Sequence, residues 1–489
     1  MTHFPFTEEP IVPTLAAEYP IEVAEEFTRG FVPAYFGDID LGHKARNDCF
    51  TRVAQQISRH PGGSLPDKLS NTADYHAMDR LMNRPETTHE RVLAAHCERT
   101  LAKMQVASGV ALILHDTTEL DYSKKKSLKL AAIGNGHGSG YLCHNSLAVN
   151  PESREVFGLV SQILHQRVAV PRGEGVQAKR ERQSRESRLW SRAVQSLPAI
   201  PAGKRWIDIA DRGADLFEFL AMEKELGRAC VVRSSSNRRV RIGHDGEGDE
   251  VLLHDYLRTL PAKGETRYRT IFDRELGKDR EVKLRVSWMS VEVLRPHVKK
   301  GEYSNEPIRA WTVRVWEESP PSKRTKLEWI LLCLDPVTKV AEAWEKSDWY
   351  SCRWMVEEYH KAKKTGCGVE SLQFRTEAAL QPMIAMLSVV AVMLLNLRQA
   401  ARRPDAKERP ASEAVEPIYE EVLRGWRYKT DRGAMNVHEF YMAVARLGGH
   451  MNRKGDGFPG WLTLWRGWQK LQNMVVGVES QRRRRRKIV

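Results

Sequence analysis

Between residues 110 and 233 the chain reads in short apolar runs, and two of them end on an aspartate. VALILH (residues 110–115) runs straight into Asp116, and RWIDIA (residues 205–210) into Asp211. Short apolar runs bounded by turn residues read as buried strands. Between the two lie YLCHNSLAV and EVFGLVSQILHQR, two further strands joined by the polar turn NPESR, and then a helix in ESRLWSRAVQSL. LFEFLAMEKEL reads as another helix and ACVVRSS as a strand. Three strands followed by alternating helix and strand are the element order of an α/β domain. Acids at the ends of neighbouring buried strands are hard to justify as packing. Their charges repel unless a cation sits between them.

A third acid is offered by residues 349–366, WYSCRWMVEEYHKAKKTG, which carry no proline or glycine before the last position. Read as one helix at about 100° per residue, Arg353, Glu357 and Lys364 fall within about 60° of Tyr350. Trp354 and Lys361 flank that face. A solvated face with internal ion pairs explains such a mixture when it stands alone. Beside Asp116 and Asp211, Glu357 completes a set of oxygen ligands. Such a set suits Mg²⁺ or Mn²⁺ rather than zinc. Two such ions can activate an attacking oxygen and stabilise the leaving oxygen of a phosphodiester. Asp215 and Glu358 are rival carboxylates. Asp215 stands where a helix cap is expected, and Glu358 points about 100° away from Glu357.

The 489 residues allow two to four domains. The 77 Lys+Arg against 63 Asp+Glu, a net charge of +14, suggest a polyanionic partner, most simply nucleic acid. Seven scattered cysteines without a C-x-x-C pair indicate neither a zinc ribbon nor a disulfide framework, and the odd number fits a reducing cytoplasm. The N-terminus is acidic and lacks the apolar core of a signal peptide. Residues 378–397 are uncharged but only marginally long enough for a bilayer, so a helix buried in the protein is expected. Near the start, helices over residues 44–60, 71–83 and 89–104 carry Lys44, Arg46, Arg59 and Arg80 and suit a small DNA-binding module. Residues 239–340 alternate polar and apolar, as an antiparallel sheet does. Two amphipathic helices close the chain. Their apolar face, with Tyr441, Met442, Val444, Leu447, Trp461, Leu464 and Trp468, suits a subunit interface or a private core. The basic run at residues 482–487 is expected to be disordered and to touch DNA phosphates without sequence preference.

Taken together, HDTTELDYS, ADRGADLFEFL with VVRS downstream, and Y-x-x-R-x-x-x-E-x-x-x-x-x-x-K from Tyr350 to Lys364 resemble the DDE transposases of the insertion-sequence-four family. LGHKARNDCFTRVAQQIS and YMAVARLGGHMNRK extend the resemblance over nearly the whole chain. It implies an α/β, RNase H-like catalytic domain at 96–372 with a β-strand insertion at about 239–340. A helical DNA-binding domain at 1–95 precedes it, and a helical dimerisation domain with a basic tail follows at 373–489. It implies that Asp116, Asp211 and Glu357 form the metal-binding triad, holding two Mg²⁺ or Mn²⁺ ions per active site. Tyr350, Arg353 and Lys364 resemble residues that grip phosphates beside the cleavage point, and Lys361 a further backbone contact. Trp329 stands where relatives hold a flipped-out base, with Trp354 and Arg233 in its pocket. Arg46, Arg59, His60 and Arg80 fall where relatives touch the terminal inverted repeat, although Ala45 and Cys49 replace expected basic residues.

The activity implied is cut-and-paste transposition. A homodimer brings two double-stranded ends into a synaptic complex, cleaves through a hairpin intermediate and joins the 3′-OH ends to target DNA. The setting implied is the bacterial cytoplasm, at the nucleoid, with no membrane. A nuclease of the same fold that cuts without joining, and a domesticated DNA-binding protein without catalysis, are the alternatives.

Overall fold

The computed structural model describes residues 31–486 apart from residue 70, parts of 170–183, and 244–246, 274–277, 297–305, 321–325, 429–432 and 454–455. Residues 1–30 of the expected first domain, and Lys487 of the basic run, lie outside the described residues.

Among the described residues five helices come first: α1 (Phe31–Phe36), α2 (Lys44–Arg59), α3 (Leu65–Lys68), α4 (Thr72–Met82) and α5 (His89–Val106). Their starts follow from side chains that satisfy the first free backbone N–H groups. His43 accepts from Ala45 N, Asn71 from Asp74 N and Thr88 from Arg91 N. On α2, Phe50, Val53, Ala54 and Ile57 recur at helical spacing and are buried together.

One mixed sheet of twelve strands forms the body. Strand β1 (Val110–Asp121) lies antiparallel to β3 (Gly138–Val149), which carries β2 (Ala132–Ile133) and β4 (Val156–His165). On its other side β1 runs parallel to β5 (Arg205–Ala210), and β5 parallel to β6 (Ala229–Arg233). Helices α6 (Leu189–Gln195) and α7 (Phe217–Glu225) make the crossings.

The 239–340 stretch does not form a sheet of its own. Its strands are β7 (Arg239–Arg241), β8 (Glu250–Leu252), β9 (Arg267–Asp273), β10 (Lys278–Val293), β11 (Ile308–Glu317) and β12 (Glu328–Cys333). β12 pairs antiparallel with β6, Leu331 opposite Arg233, so the antiparallel half extends the parallel half. Helix α8 (Leu253–Thr259) interrupts this stretch where the polar alternation signals only strand and loop.

The segment expected as one helix is broken. Helix α9 (Val340–Ser351) stops one turn before α10 (Trp354–Lys361) begins, and residues Ala362–Gly366 widen into a π-turn. At the joint the bonds tighten to the i+3 pattern: Cys352 N to Trp349 O at 3.0 Å, Arg353 N to Tyr350 O at 3.0 Å and Met355 N to Cys352 O at 2.9 Å. At the far end Cys367 N reaches back five residues to Ala362 O at 2.8 Å. No proline or glycine marks the joint, so propensity does not reveal it.

Helix α11 (Glu377–Arg402) runs through the middle. It is long and apolar enough to cross a membrane, yet 83% of its apolar window is buried inside the protein. An all-round apolar helix needs such a surround. It packs on α5, β4 and the π-turn. Helices α12 (Pro417–Arg427), α13 (Val437–Leu447) and α14 (Trp461–Arg486) cover its far end. Gly448 and Gly467 let α13 and α14 touch backbone to backbone, where any side chain would strike Thr463 or Val444 carbonyl oxygen. Tyr441, Val444, Leu447, Leu464 and Trp468 are buried here and Met442 and Trp461 half-buried, so most of this apolar face is used within the chain. One contiguous core joins Phe50 of α2, Leu112 of β1, Ile384 of α11 and Leu471 of α14. Helix α5 runs without interruption through residues 95 and 96.

Glu358 finds its explanation in this packing. Its carboxylate accepts from Lys361 Nζ at 2.8 Å and also binds the Arg398 guanidinium and the Trp461 indole N–H. One side chain of α10 thereby ties α11 and α14. Glu358→Ala leaves Arg398 buried without its counter-charge, and should cost about 3 kcal/mol in urea unfolding. A loss below about 1 kcal/mol would show that the tie contributes little.

Candidate active site

Asp116 does not end its strand. β1 continues to Asp121 because β3 pairs with it throughout, Asp116 opposite Asn145 and Asp121 opposite Gly140. Asp211 follows the last residue of β5 and starts a turn, its carboxylate accepting from Gly213 N at 2.9 Å. Gly213 has no room for a side chain because the Trp190 ring lies against it. β1 and β5 are adjacent and parallel, so the two aspartates come to one end of the sheet. Glu357 approaches from α10, which packs on β1.

Asp211 and Glu357 both act on the Asp116 carboxyl, with Arg353 beside it. The guanidinium lies 3.6 Å from Asp116 Oδ2 and forms an ion pair with Glu357. Burial first, and then the charges of Asp211 and Glu357, push the Asp116 carboxyl up to about 7 against the pull of Arg353. Burial works against the Arg353 charge too, but Tyr350, Asp116, Glu357 and Asp211 outweigh it and raise its pKa. Among the described residues no three His, Cys, Asp or Glu side chains are grouped closely enough to hold a metal ion. The donor chemistry, three carboxylates without a thiolate, still fits a hard divalent cation. In this arrangement the Arg353 guanidinium is the cation that the two carboxylates share.

A cleft of about 530 Å³ opens beside Glu357, lined by Arg233, Lys326, Trp329, Tyr350, Arg353 and Trp354. Trp329 of β12 meets Tyr350 edge to face, their rings 5.1 Å apart. Burial raises the Tyr350 pKa, with Arg353 and Arg233 pulling the other way. The Trp354 indole N–H is buried without a hydrogen-bond partner, an unmet donor in the cleft wall. Trp329 and Trp354 also wall a second, more apolar cleft with Arg154, Arg269 and Trp344.

Not every expected contact is at this cleft. Lys364 pairs with Glu370 at 3.2 Å, and Lys361 is drawn to Glu358. In the helical module Arg46 pairs with Glu86 at 2.9 Å and Arg59 with Glu416 of the C-terminal region at 3.3 Å. His60, half-buried, has its pKa lowered by burial and by Arg59. Arg80 is exposed on α4. Asp215 does not cap the start of α7, where Leu216 stands instead. Asp215 accepts from Ser235 N at 2.6 Å and Ser236 N at 3.0 Å and binds Arg238, so it anchors the loop after β6.

No family model matches the chain. Among solved structures it is similar to a piggyBac transposase, in a cryo-EM structure of the synaptic complex with hairpin DNA. The TM-score is 0.30 at 10% identity, covering 80% of this chain and 69% of that one. This is a loose likeness, and the site stands on its own residues.

Two of those residues escape the sequence reading. His360 Nδ1 lies 3.8 Å from Asp116 Oδ2, and its Nε2 is 3.1 Å from Asn145 Nδ2. Burial, then Lys363 and Lys364, hold the His360 pKa well below its ordinary value. The signal was present, since His360 stands three residues after Glu357 and shares its side of the helix. Behind the acids His115 bridges Ser146 at 3.0 Å and Asp208 at 2.8 Å, and Arg228 meets Asp208 at 2.8 Å. This buried chain cross-links β3, β1 and β5 beneath the positions of Asp116 and Asp211.

Proposed function

We propose that the chain is a DDE-type DNA transposase, acting on double-stranded transposon ends and joining them to target DNA. The observation that carries this reading is the placing of Arg353 between the Asp116 and Glu357 carboxylates, with Asp211 acting on the same charges, next to a cleft walled by Trp329, Tyr350 and Trp354. Burying Asp116 within the field of two further carboxylates carries an electrostatic cost that packing alone does not explain. The sheet order β4-β3-β1-β5-β6, with three antiparallel strands and then parallel ones, supports the RNase H-like reading of the catalytic part.

Asp116, Asp211 and Glu357 would hold Mg²⁺ or Mn²⁺, two per active site, which would supply activation of the attacking oxygen and stabilisation of the leaving one. The remaining work falls to the side chains around them. Arg353 and Arg233 present planar donor pairs suited to phosphate oxygens. An ion held jointly by the three acids requires Arg353 to release Asp116 and Glu357, which frees its guanidinium for the DNA backbone. The indoles of Trp329 and Trp354 offer stacking surfaces for an unstacked base. The α2 and α4 helices, with Arg46, Arg59, His60 and Arg80, are the proposed holders of the terminal repeat. The homodimer belongs to the same proposal, and it must use a surface other than the apolar face buried between α13 and α14.

The test is incubation of the protein with Mg²⁺, duplex carrying the terminal repeats that flank its coding sequence, and a target plasmid. Covalently joined products are expected. Nicks without joined products would favour a nuclease, and binding without any cut would favour a non-catalytic DNA-binding protein.

A further inference from the structure

Helix α14 does not end where its packing ends. Trp465, Trp468, Leu471 and Val475 are buried. Beyond them the helix continues to Arg486, carrying arginines at every position from 482 onward. The expected disorder of this run is therefore corrected, because the buried turns before it hold the helix in register. Five successive positions at about 100° each distribute charge around the whole circumference, so no core-facing side exists. Like charges three and four residues apart repel along the helix. A polyanion that neutralises them removes that repulsion.

Two of the arginines are tethered. Arg482 pairs with Glu421 of α12, and Arg483 reaches Glu479 at 3.5 Å. Arg484 and Arg485 are exposed and make no ion pair among the described residues.

The run has a definite neighbour. Arg59, in the last turn of α2, is held by Glu416 at the start of α12, and Arg482 by Glu421 five residues further along the same segment. Consistently, Glu479, within two turns of all four arginines at 482–485, acts on His60 next to Arg59. The arginines thus emerge beside the C-terminal end of α2. The stretch from Gly477 onward presents only Val478 as an apolar side chain before the arginines. An interfacial membrane helix needs a broad apolar face, and this last stretch of α14 lacks one.

We infer that the helical arginines at 482–485 form a second phosphate grip on the DNA duplex that α2 and α4 hold. This rests on the transposase reading only for which duplex is held. The grip itself recognises phosphates and is indifferent to base sequence.

The double variant Arg484→Gln with Arg485→Gln tests this, since it leaves both tethered arginines in place. Affinity is measured for end duplex and for an unrelated duplex of equal length, from about 50 mM to about 200 mM KCl, the range over which phosphate contacts lose grip. If both side chains meet phosphates, the log–log salt slope becomes shallower by about 1.8, at about 0.9 per contact. The affinity loss is then about tenfold larger at the low-salt end, and equal for the two duplexes. An unchanged slope, in a variant with wild-type circular dichroism and melting temperature, overturns the inference. So does wild-type binding to phosphatidylserine vesicles as tight as to duplex and weakened equally by the substitutions. A wild-type protein that binds both duplexes alike would instead count against the transposase reading, while the slope still reports on the grip.

Discussion

Asp116→Ala should abolish metal-dependent cleavage of end DNA, by about 10³-fold or more, while end binding changes less than about threefold. The loss corresponds to about 4 kcal/mol of transition-state stabilisation. Asp116 is the acid on which the local field converges, since Asp211, Glu357 and Arg353 all act on its carboxyl. It lies on β1, whereas the proposed end-holding residues lie on α2, its cap and α4. Gel-shift and cleavage assays on one preparation read both effects. Cleavage within tenfold of wild type would remove Asp116 from the chemistry. A parallel loss of binding would mean that the site had collapsed rather than lost a ligand.

The second large effect concerns stability without metal. Burial and two carboxylate neighbours raise the Asp116 pKa from 3.8 to about 7. A carboxyl with a raised folded-state pKa takes up protons on folding between those values. Its contribution to stability is full below about pH 4 and is lost as pH rises to about 7. At about 1.4 kcal/mol per unit, the upper bound on this loss is about 4.5 kcal/mol. Asp116→Asn carries no charge at any pH, so it should be more stable than wild type at pH 8 in EDTA. The gain should be about 1–3 kcal/mol, because relaxation around a partly exposed side chain discounts the bound. The two proteins should converge near pH 4. Urea unfolding at both pH values reads this directly. A variant less stable than wild type at pH 8 would mean that the pairing with Arg353 outweighs the repulsion.

These effects show what was legible in the chain and what was not. The apolar runs before Asp116 and Asp211 were readable because strand burial leaves a compositional trace. The polar half of β1, TTELD, was not, because it is a strand only through its pairing with β3. Glu357 and Arg353 keep their i,i+4 relation across the broken helix, so their ion pair follows from spacing alone. The joint at Cys352 and Arg353 leaves no mark, since both residues keep helical dihedrals there. Asn145 enters the site through the β1–β3 register, and a single-residue shift in that register would turn it to the other face. Glu358 looked like a rival ligand until its partners on α11 and α14 were in place. The arginine run illustrates the reverse case: charge repulsion argued for disorder, and the buried turns of α14 overrode it.

The central claim is that Asp116, Asp211 and Glu357 jointly bind divalent cations. Titrating Mn²⁺ into the complex with end duplex, followed by electron paramagnetic resonance, counts the ions directly. About two bound ions per protomer are predicted for the wild type, with affinity weakened at least about tenfold in each of Asp116→Asn, Asp211→Asn and Glu357→Gln. The same number of ions, bound equally tightly in all three variants, would contradict the account.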